Sequence, residues 1–417
     1  MDNRLYWIWL QQALGQGSAK AGPLLRVFGS AEGIFCATEE SLRTVGLNEN
    51  ERAALADRSL TDAGRILKTA LKDNGWVLTP DDGLYPDSLR EIFALPLVLY
   101  GRGEWPDFDA TPALTVVGTR SATTYGMEMA RYIAAGMAAA GGIVVSGGAV
   151  GIDAAAHWGA LEAGGKTVAV LGGGLDQTYP AENEPLRRQI LANGGALVSE
   201  YPPGTKAFGS HFPVRNRILS GLSWATCVAE APKGSGSRIT ADYAREQGRE
   251  VMAVPGLAGL DAHAGTNALI RDGACLVEGP ADVLRQYRVR YGDRLNAESL
   301  EKLEAPRWKR PEPVRTGEPP LTLAAQKRPN PFPRRRRKEA PPKPTPPTPA
   351  AAAPAATCPE GVSDDARRMF DQLGDKPVPI DRLAAKAGLT PARAMAVLTE
   401  LEIAGGARSH AGQQYSR

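Results

Sequence analysis

Three glycine-bearing segments gather the residues of this chain best suited to hold a charged ligand. They are Gly118-Thr-Arg120, Ser146-Gly147-Gly148-Ala-Val-Gly-Ile-Asp153 and Gly172-Gly-Gly174. Each follows an apolar run and precedes helical sequence. Without a Cβ, backbone amides approach phosphate oxygens closely, and a helix N-terminus favours negative charge. Tight strand–helix turns explain one such loop, but three in a row favour a phosphate-bearing ligand. No G-x-G-x-x-G follows the first strand and no G-x-x-x-x-G-K-[ST] occurs, so a dinucleotide or P-loop site is unsupported and no cofactor is expected.

A second constellation is Phe212-Pro-Val-Arg215-Asn216-Arg217, two guanidiniums and an amide beside an aromatic ring. Arginine forks match phosphate, and a phenyl face stacks on an unpaired base for about 1–3 kcal/mol. The alternative duty is to brace the sheet against carboxylates such as Asp153 and Glu230, and both hold if one arginine serves each. Ser235-Gly-Ser237-Arg-Ile-Thr240 presents hydroxyls and amides at another helix start. Catalytic machinery is thin. Asp153 and His157 stand four residues apart, a spacing that suits an acid–base couple. No GxSxG or HExxH accompanies them, so His157 reads as a packing histidine whose tautomer Asp153 fixes. His211, beside Phe212, is the better candidate of the two for contact with a ligand.

These segments need a frame. Strand-like runs end at Gly118, Ser146, Gly172, Ser199, Glu230, Pro255 and Val277, spaced about one strand–helix unit apart, with helical sequence such as 127–140, 152–163 and 183–192 between them. Continuous apolar strands alternating with helices predict an α/β fold: an extended Rossmann-like, doubly wound, mainly parallel sheet over residues 76–288. Its ligands bind at the carboxyl ends of the strands, where the glycines lie. Residues 1–75 read as a helical SAM-like or helix-hairpin-helix-like domain. Only Lys20 and Arg26 stand near its first turn, so a packing or protein-contact module is preferred to a DNA-binding one. In residues 360–417, helices around Ile380–Ala384, Leu389–Leu398 and Leu401–Ile403, with Thr390 as cap, Pro391 in the first turn and glycines at 405, 406 and 412, suggest a winged-helix domain. Its expected recognition helix carries only Arg393.

Residues 289–359 read as a Pro/Arg-rich disordered linker. Sixteen of the chain's 33 prolines lie between Pro306 and Pro359, with a local net charge of +9. The whole chain of 417 residues carries only +3, leaving −6 elsewhere, and Leu114–Pro280 has 13 basic and 14 acidic residues. A nucleic-acid site there must therefore be a focused cationic pocket. The run Arg334, Arg335, Arg336, Arg337 either adds salt-sensitive attraction to DNA or simply solvates the tether. Four scattered cysteines without a CxxC pair suit a reducing cytosol and no metal site, and no stretch approaches the ~20 apolar residues of a membrane helix. A cytoplasmic protein with no membrane partner is expected.

Taken in order, Val117-Gly-Thr-Arg120, Ser146 to His157, Val170-Leu-Gly-Gly-Gly-Leu-Asp-Gln-Thr-Tyr-Pro180, Ser199-Glu-Tyr-Pro202, Phe212 to Arg217, Ser235-Gly-Ser-Arg-Ile-Thr-Ala241 and Val254-Pro-Gly256 to Gly265-Thr-Asn267 resemble the DNA-processing protein A (DprA/Smf) family. The likeness begins with Tyr85-Pro-x-x-Leu89 and Pro96-Leu-Val-Leu-Tyr100 and spans residues 76–288. It implies a non-enzymatic mediator of recombination that binds and protects single-stranded DNA, dimerises through its Rossmann-like domain and loads RecA onto incoming DNA during natural transformation. By the same resemblance Arg120 clamps a backbone phosphate beside the amides of Gly118, Gly147 and Gly148. Phe212 meets a base, with Arg215 and Arg217 near it. Many relatives carry lysine where this chain has Ala181, so that edge has one cation fewer. The competing readings are a nucleotide-processing enzyme on a Rossmann-like fold and a winged-helix DNA-binding regulator.

Overall fold

The structure, a computed structural model, describes residues 2–303, 305 and 306, and in the C-terminal part 363–374, 378–389, 394, 397, 398, 400–402, 404, 406–410 and 414–417. Thr390, Pro391, Arg393, Gly405, Gly412 and Arg334 to Arg337 lie outside the described residues. Two compact units divide the chain, residues 1–313 and 314–417.

The first unit opens with six helices, α1 (Arg4–Leu14), α2 (Ala21–Phe28), α3 (Ala31–Cys36), α4 (Glu39–Leu42), α5 (Glu49–Ala56) and α6 (Thr61–Ala70). Polar residues start several of them: Ser30 accepts from the Gly33 amide, and Asn48 and Glu51 close a reciprocal capping box. Then come β1 (Gly75–Leu78), α7 (Asp87–Arg90), β2 (Leu99–Gly103), β3 (Ala113–Gly118), α8 (Thr124–Ala139), β4 (Ile143–Ser146), α9 (Ile152–Glu162) and β5 (Thr167–Leu171). They are followed by α10 (Glu184–Ala192), β6 (Ala196–Ser199), α11 (His211–Gly221), β7 (Ala225–Glu230), α12 (Ser237–Glu246), β8 (Glu250–Ala253), α13 (Asp261–Arg271), β9 (Cys275–Leu276) and α14 (Pro280–Tyr291).

The nine strands form one sheet in the order β1-β2-β6-β5-β4-β3-β7-β8-β9. From β6 to β9 all pairings are parallel, as the sequence implies. Two strands escape the sequence reading: β2 adds antiparallel to β6, and β1 to β2. The chain starts the parallel set at β3 in the middle, winds out to β6, then returns to β7 on the other flank. Winding reverses between β3 and β7, the place where such sheets bind ligands. Alternation along β3 shows why the strands are apolar throughout. Leu114 and Val116 pack with Ile133, Met137, Ala156 and Tyr287 of α8, α9 and α14. Ala113 and Val117 face Ile218, Leu219, Ala241 and Leu269 of α11, α12 and α13.

The N-terminal helices pack around Trp7, Ile8, Leu10, Leu24, Ile34 and Leu55 and join Val77, Val98 and Tyr100 in one core. Gln11 reinforces the junction, donating to the Val98 carbonyl at 3.2 Å and accepting from the Tyr100 hydroxyl at 3.2 Å. At the other end the packed body runs beyond residue 288, where the tether was expected to begin. Short 3-10 turns at Gly292–Arg294 and Ala297–Lys302 carry Leu295 and Leu300 against the sheet core.

In the second unit, α15 (Asp364–Phe370) and α16 (Ile380–Ala387) accompany a three-stranded antiparallel sheet of β10 (Val378–Pro379), β11 (Arg408–His410) and β12 (Gln414–Ser416), ordered β10-β12-β11. Ala394, Val397, Leu398 and Leu401 are buried at helical spacing against Phe370 and Leu383. This arrangement of helices with a small sheet is a winged helix. No helix of the described residues is long and apolar enough to cross a membrane.

Two buried polar contacts lock the larger unit. Arg217 of α11 and Glu200, just past β6, are 3% and 2% exposed and meet fork to fork at 2.6 and 2.9 Å. The same guanidinium donates to the Ala94 carbonyl at 2.8 Å. His157 of α9 is fully buried, but Asp153 does not hold it. Its Nδ1 lies 2.7 Å from the Thr167 hydroxyl, whose one proton goes to the Val144 carbonyl at 2.8 Å. Nδ1 must therefore carry the imidazole proton, and Nε2 is left buried without a partner. The expected Asp153–His157 pair is corrected accordingly: a residue of the neighbouring strand outcompetes the one four residues away.

Removing one member of a buried ion pair strands the other, at about 3–5 kcal/mol. Arg217→Met is expected to cost that much in urea unfolding, and Arg217→Met with Glu200→Met to recover most of it. Burial, with Arg215 nearby, depresses the His157 pKa to about 3 from 6.5. Below pH 6.5 the unfolded chain takes up a proton that the folded chain refuses, so this group's contribution is complete above 6.5 and is lost towards pH 3. The stability difference between wild type and His157→Gln should shrink by about 3 kcal/mol between pH 7 and pH 4, at about 1.4 kcal/mol per pH unit.

Candidate nucleic-acid interface

The carboxyl ends of β3, β4 and β5 enclose a cavity whose walls include Arg120, Gly147, Gly148, Gly172, Tyr179 and Phe212. Phe212 stands in the first turn of α11 with its ring laid on Gly172, where a Cβ would come within 3.1 Å of the ring. The Arg120 guanidinium lies over this ring at 4.7 Å from the centroid. Tyr179 adds a second ring 5.9 Å from Phe212 and is 46% exposed. Behind them His211 stacks on Tyr201 at 4.1 Å, and its Nδ1–H donates to the Gly172 carbonyl at 3.1 Å. Arg120 is exposed, and among the described residues no carboxylate pairs with it. The site is a cation and two aromatic faces at the lip of a glycine-lined hollow.

Other expected contacts serve the frame instead. Arg215 is buried and donates to the Gly147 carbonyl at 2.7 Å and to the Val170 carbonyl. Burial lowers its pKa to about 10, against the opposing pull of Asp153, so it stays cationic at neutral pH. Arg217 leaves the ligand set altogether, consumed by Glu200 and Ala94 as described. The Ser146 hydroxyl is fully buried and bonds the Val116 carbonyl at 2.6 Å, so it offers a ligand nothing. Gly118 is small for packing: a Cβ would meet Ile152 at 2.5 Å and the Glu230 carbonyl at 2.6 Å. Beside it the Thr119 amide already donates to Glu230 O at 2.8 Å. Asp153 accepts from the Ala149 amide at 3.3 Å, and burial raises its pKa despite Arg215. Among the described residues Glu230 meets no arginine; it receives the Thr123 amide at 2.9 Å at the start of α8.

Asn216, Ser235 and Ser237 converge elsewhere, on a second cavity that shares Arg120, Ala149 and Phe212 with the first. Sequence reasoning overlooked Tyr179, Arg187 and the 57% exposed Phe208. Tyr179 was legible as an aromatic between a glycine run and Pro180. Arg187 was not: it reaches back from α10 to the carbonyls of Gln177 and Tyr179, holding the loop that presents Tyr179.

Comparison with known proteins agrees with this architecture. The family model described as DNA recombination-mediator protein A matches residues 76–288, and that of the DprA winged helix domain matches residues 340–413. Protein Smf of Synechocystis sp. is 31% identical over 438 residues, covering 100% of this chain and 99% of that protein. DNA processing protein DprA of Streptococcus pneumoniae is 43% identical over 208 residues, covering 49% of this chain and 72% of that protein. The X-ray structure of DNA processing protein A from Streptococcus pneumoniae aligns with a TM-score of 0.59 at 33% identity, over 69% of this chain and 98% of that one. With one family model spanning half of its length and a relative similar from end to end, the chain belongs to the DNA recombination-mediator protein A (DprA/Smf) family.

Proposed function

We propose that the groove at the ends of β3, β4 and β5 binds single-stranded DNA, with Arg120 on a backbone phosphate and Phe212 and Tyr179 against bases. The observation that carries this reading is Arg120 itself, an exposed guanidinium without an ion pair among the described residues, 4.7 Å above an aromatic ring. Unstacked bases suit such a platform, whereas the paired bases of a duplex hide their faces. The net charge of −1 over Leu114–Pro280 is consistent with a local cationic spot, not a broad basic face. The acid–base couple that Asp153 and His157 could have formed is not made, because His157 is bonded to Thr167 instead.

Membership of the recombination-mediator family supports the wider role. A protein that holds the strand on one face leaves the rest of it open to a recombinase. We place this chain as a homodimer, joined through the Rossmann-like domain, that protects incoming single strands and loads RecA onto them in natural transformation. Arg334 to Arg337 would add a salt-sensitive, sequence-independent hold, and the winged helix a protein contact or weak duplex contact.

In fluorescence anisotropy with labelled oligo-dT, Arg120→Ala is expected to weaken binding about tenfold and to lower the salt slope by about 0.7, one phosphate contact on a single strand. Phe212→Ala should lose about 1–3 kcal/mol with the salt slope unchanged. Nucleation of RecA on strands coated with single-strand-binding protein should be accelerated by wild type and not by Arg120→Ala. Unchanged affinity in both variants would remove the groove from the account.

A further inference from the structure

The second cavity, of about 370 Å³, lies where the winding of the sheet reverses, between the carboxyl ends of β3 and β7. Its polar lining is rich in unspent donors. Asn216 is 8% exposed and lines the cavity, yet its side-chain amide makes no hydrogen bond among the described residues. The Ser235 and Ser237 hydroxyls lie 2.9 Å apart, so one donates to the other and one proton is left over. Arg120, on the wall shared with the first cavity, adds its guanidinium. The polar atoms of Asn216 are not among those sealed from solvent without a partner, so they stay open to a ligand in the cavity.

The acceptor side is poor. Asp153 is the carboxylate of the lining; one oxygen faces the Ala149 amide, and the Arg215 charge opposes its own. The start of α12 contributes less than its position suggests. Its Arg238 and Ile239 amides already close turns on the Ser235 and Gly236 carbonyls. The side chains, not the helix end, are what remains for a ligand.

We propose that this cavity is a phosphate site, with Asn216, the Ser235–Ser237 hydroxyl pair and Arg120 as donors to the phosphate of a nucleotide. The identification of the anion as a nucleotide phosphate rests on the reading of the neighbouring groove as a DNA site. The phosphate belongs to an internal nucleotide of the strand, to a strand end, or to a free nucleoside monophosphate, all of which offer the same oxygens.

Three probes separate these sources on the full chain: 5′-hydroxyl oligo-dT, 5′-phosphorylated oligo-dT and dTMP. Asn216→Asp keeps the shape and replaces donors with negative charge, and Ser237→Ala removes one hydroxyl without altering the backbone. Both variants should bind at least one probe fivefold or more weakly than wild type. Loss on both oligonucleotides marks an internal phosphate, loss only on the phosphorylated one a strand end, and loss only on dTMP a free nucleotide. If wild type binds none of the three, or both variants bind all of them as wild type does, the proposal is overturned. Phe212→Ala, run alongside, keeps the two readings apart. If it cuts oligonucleotide binding while Asn216→Asp and Ser237→Ala change nothing, the groove stands and the cavity site falls. If it changes nothing while dTMP binding depends on Asn216, the cavity stands and the DNA groove falls.

Discussion

One buried cation gives the binding edge its shape. The Arg215 guanidinium ties the carbonyl of Gly147, in the loop after β4, to that of Val170 near the end of β5. The glycine-rich loop after β4 and the end of β5 are thereby held to one helix. A buried charge is tolerated only where hydrogen bonds and a counter-charge repay its lost hydration, and these carbonyls with Asp153 nearby do most of that. Repayment is incomplete, since Arg215 Nε has no partner. Phe212 stands three residues earlier on the same helix, so the element that clamps the loop after β4 to β5 also sets the aromatic ring over Gly172.

From that clamp follows a division of labour among arginines that composition alone hides. Arg215 holds the loop after β4 to β5, Arg217 ties α11 to Glu200, and Arg187 holds the turn bearing Tyr179. Three of the cations at this edge are spent on protein groups. Arg120 is left facing solvent, and this reconciles a near-neutral domain with the proposed site for a polyanion. A few ångströms of local field matter more here than the sign of the whole surface.

Much of this was legible in the sequence, for physical reasons that differ by residue. The parallel strands announced themselves because burial on both faces demands unbroken apolar runs. The short β1 and β2 did not: Gly75-Trp-Val-Leu78 and Leu99-Tyr-Gly-Arg-Gly103 are brief, glycine-bearing runs, and β2 joins the sheet only through β6, far along the chain. The duties of Arg215 and Arg217 were ambiguous in sequence, although two residues on a helix point about 200° apart and so cannot share one ligand face. The Asp153–His157 spacing suggested a local pair, but Thr167 on the next strand approaches His157 more closely, a contact no local pattern encodes. Asn216 and the two serines read as part of one site; only the fold separates them from the groove across the Arg120–Phe212 wall.

In the proposed complex, bases of a single strand rest against Phe212 and Tyr179. Photo-crosslinking oligo-dT that carries 5-iodouracil to the full chain, with the attached residues mapped by mass spectrometry, tests it most directly. The account predicts crosslinks at Phe212 or Tyr179 that unlabelled single-stranded DNA competes away. Crosslinks confined to the Pro/Arg-rich segment or the winged helix, with none at the two rings, would contradict it.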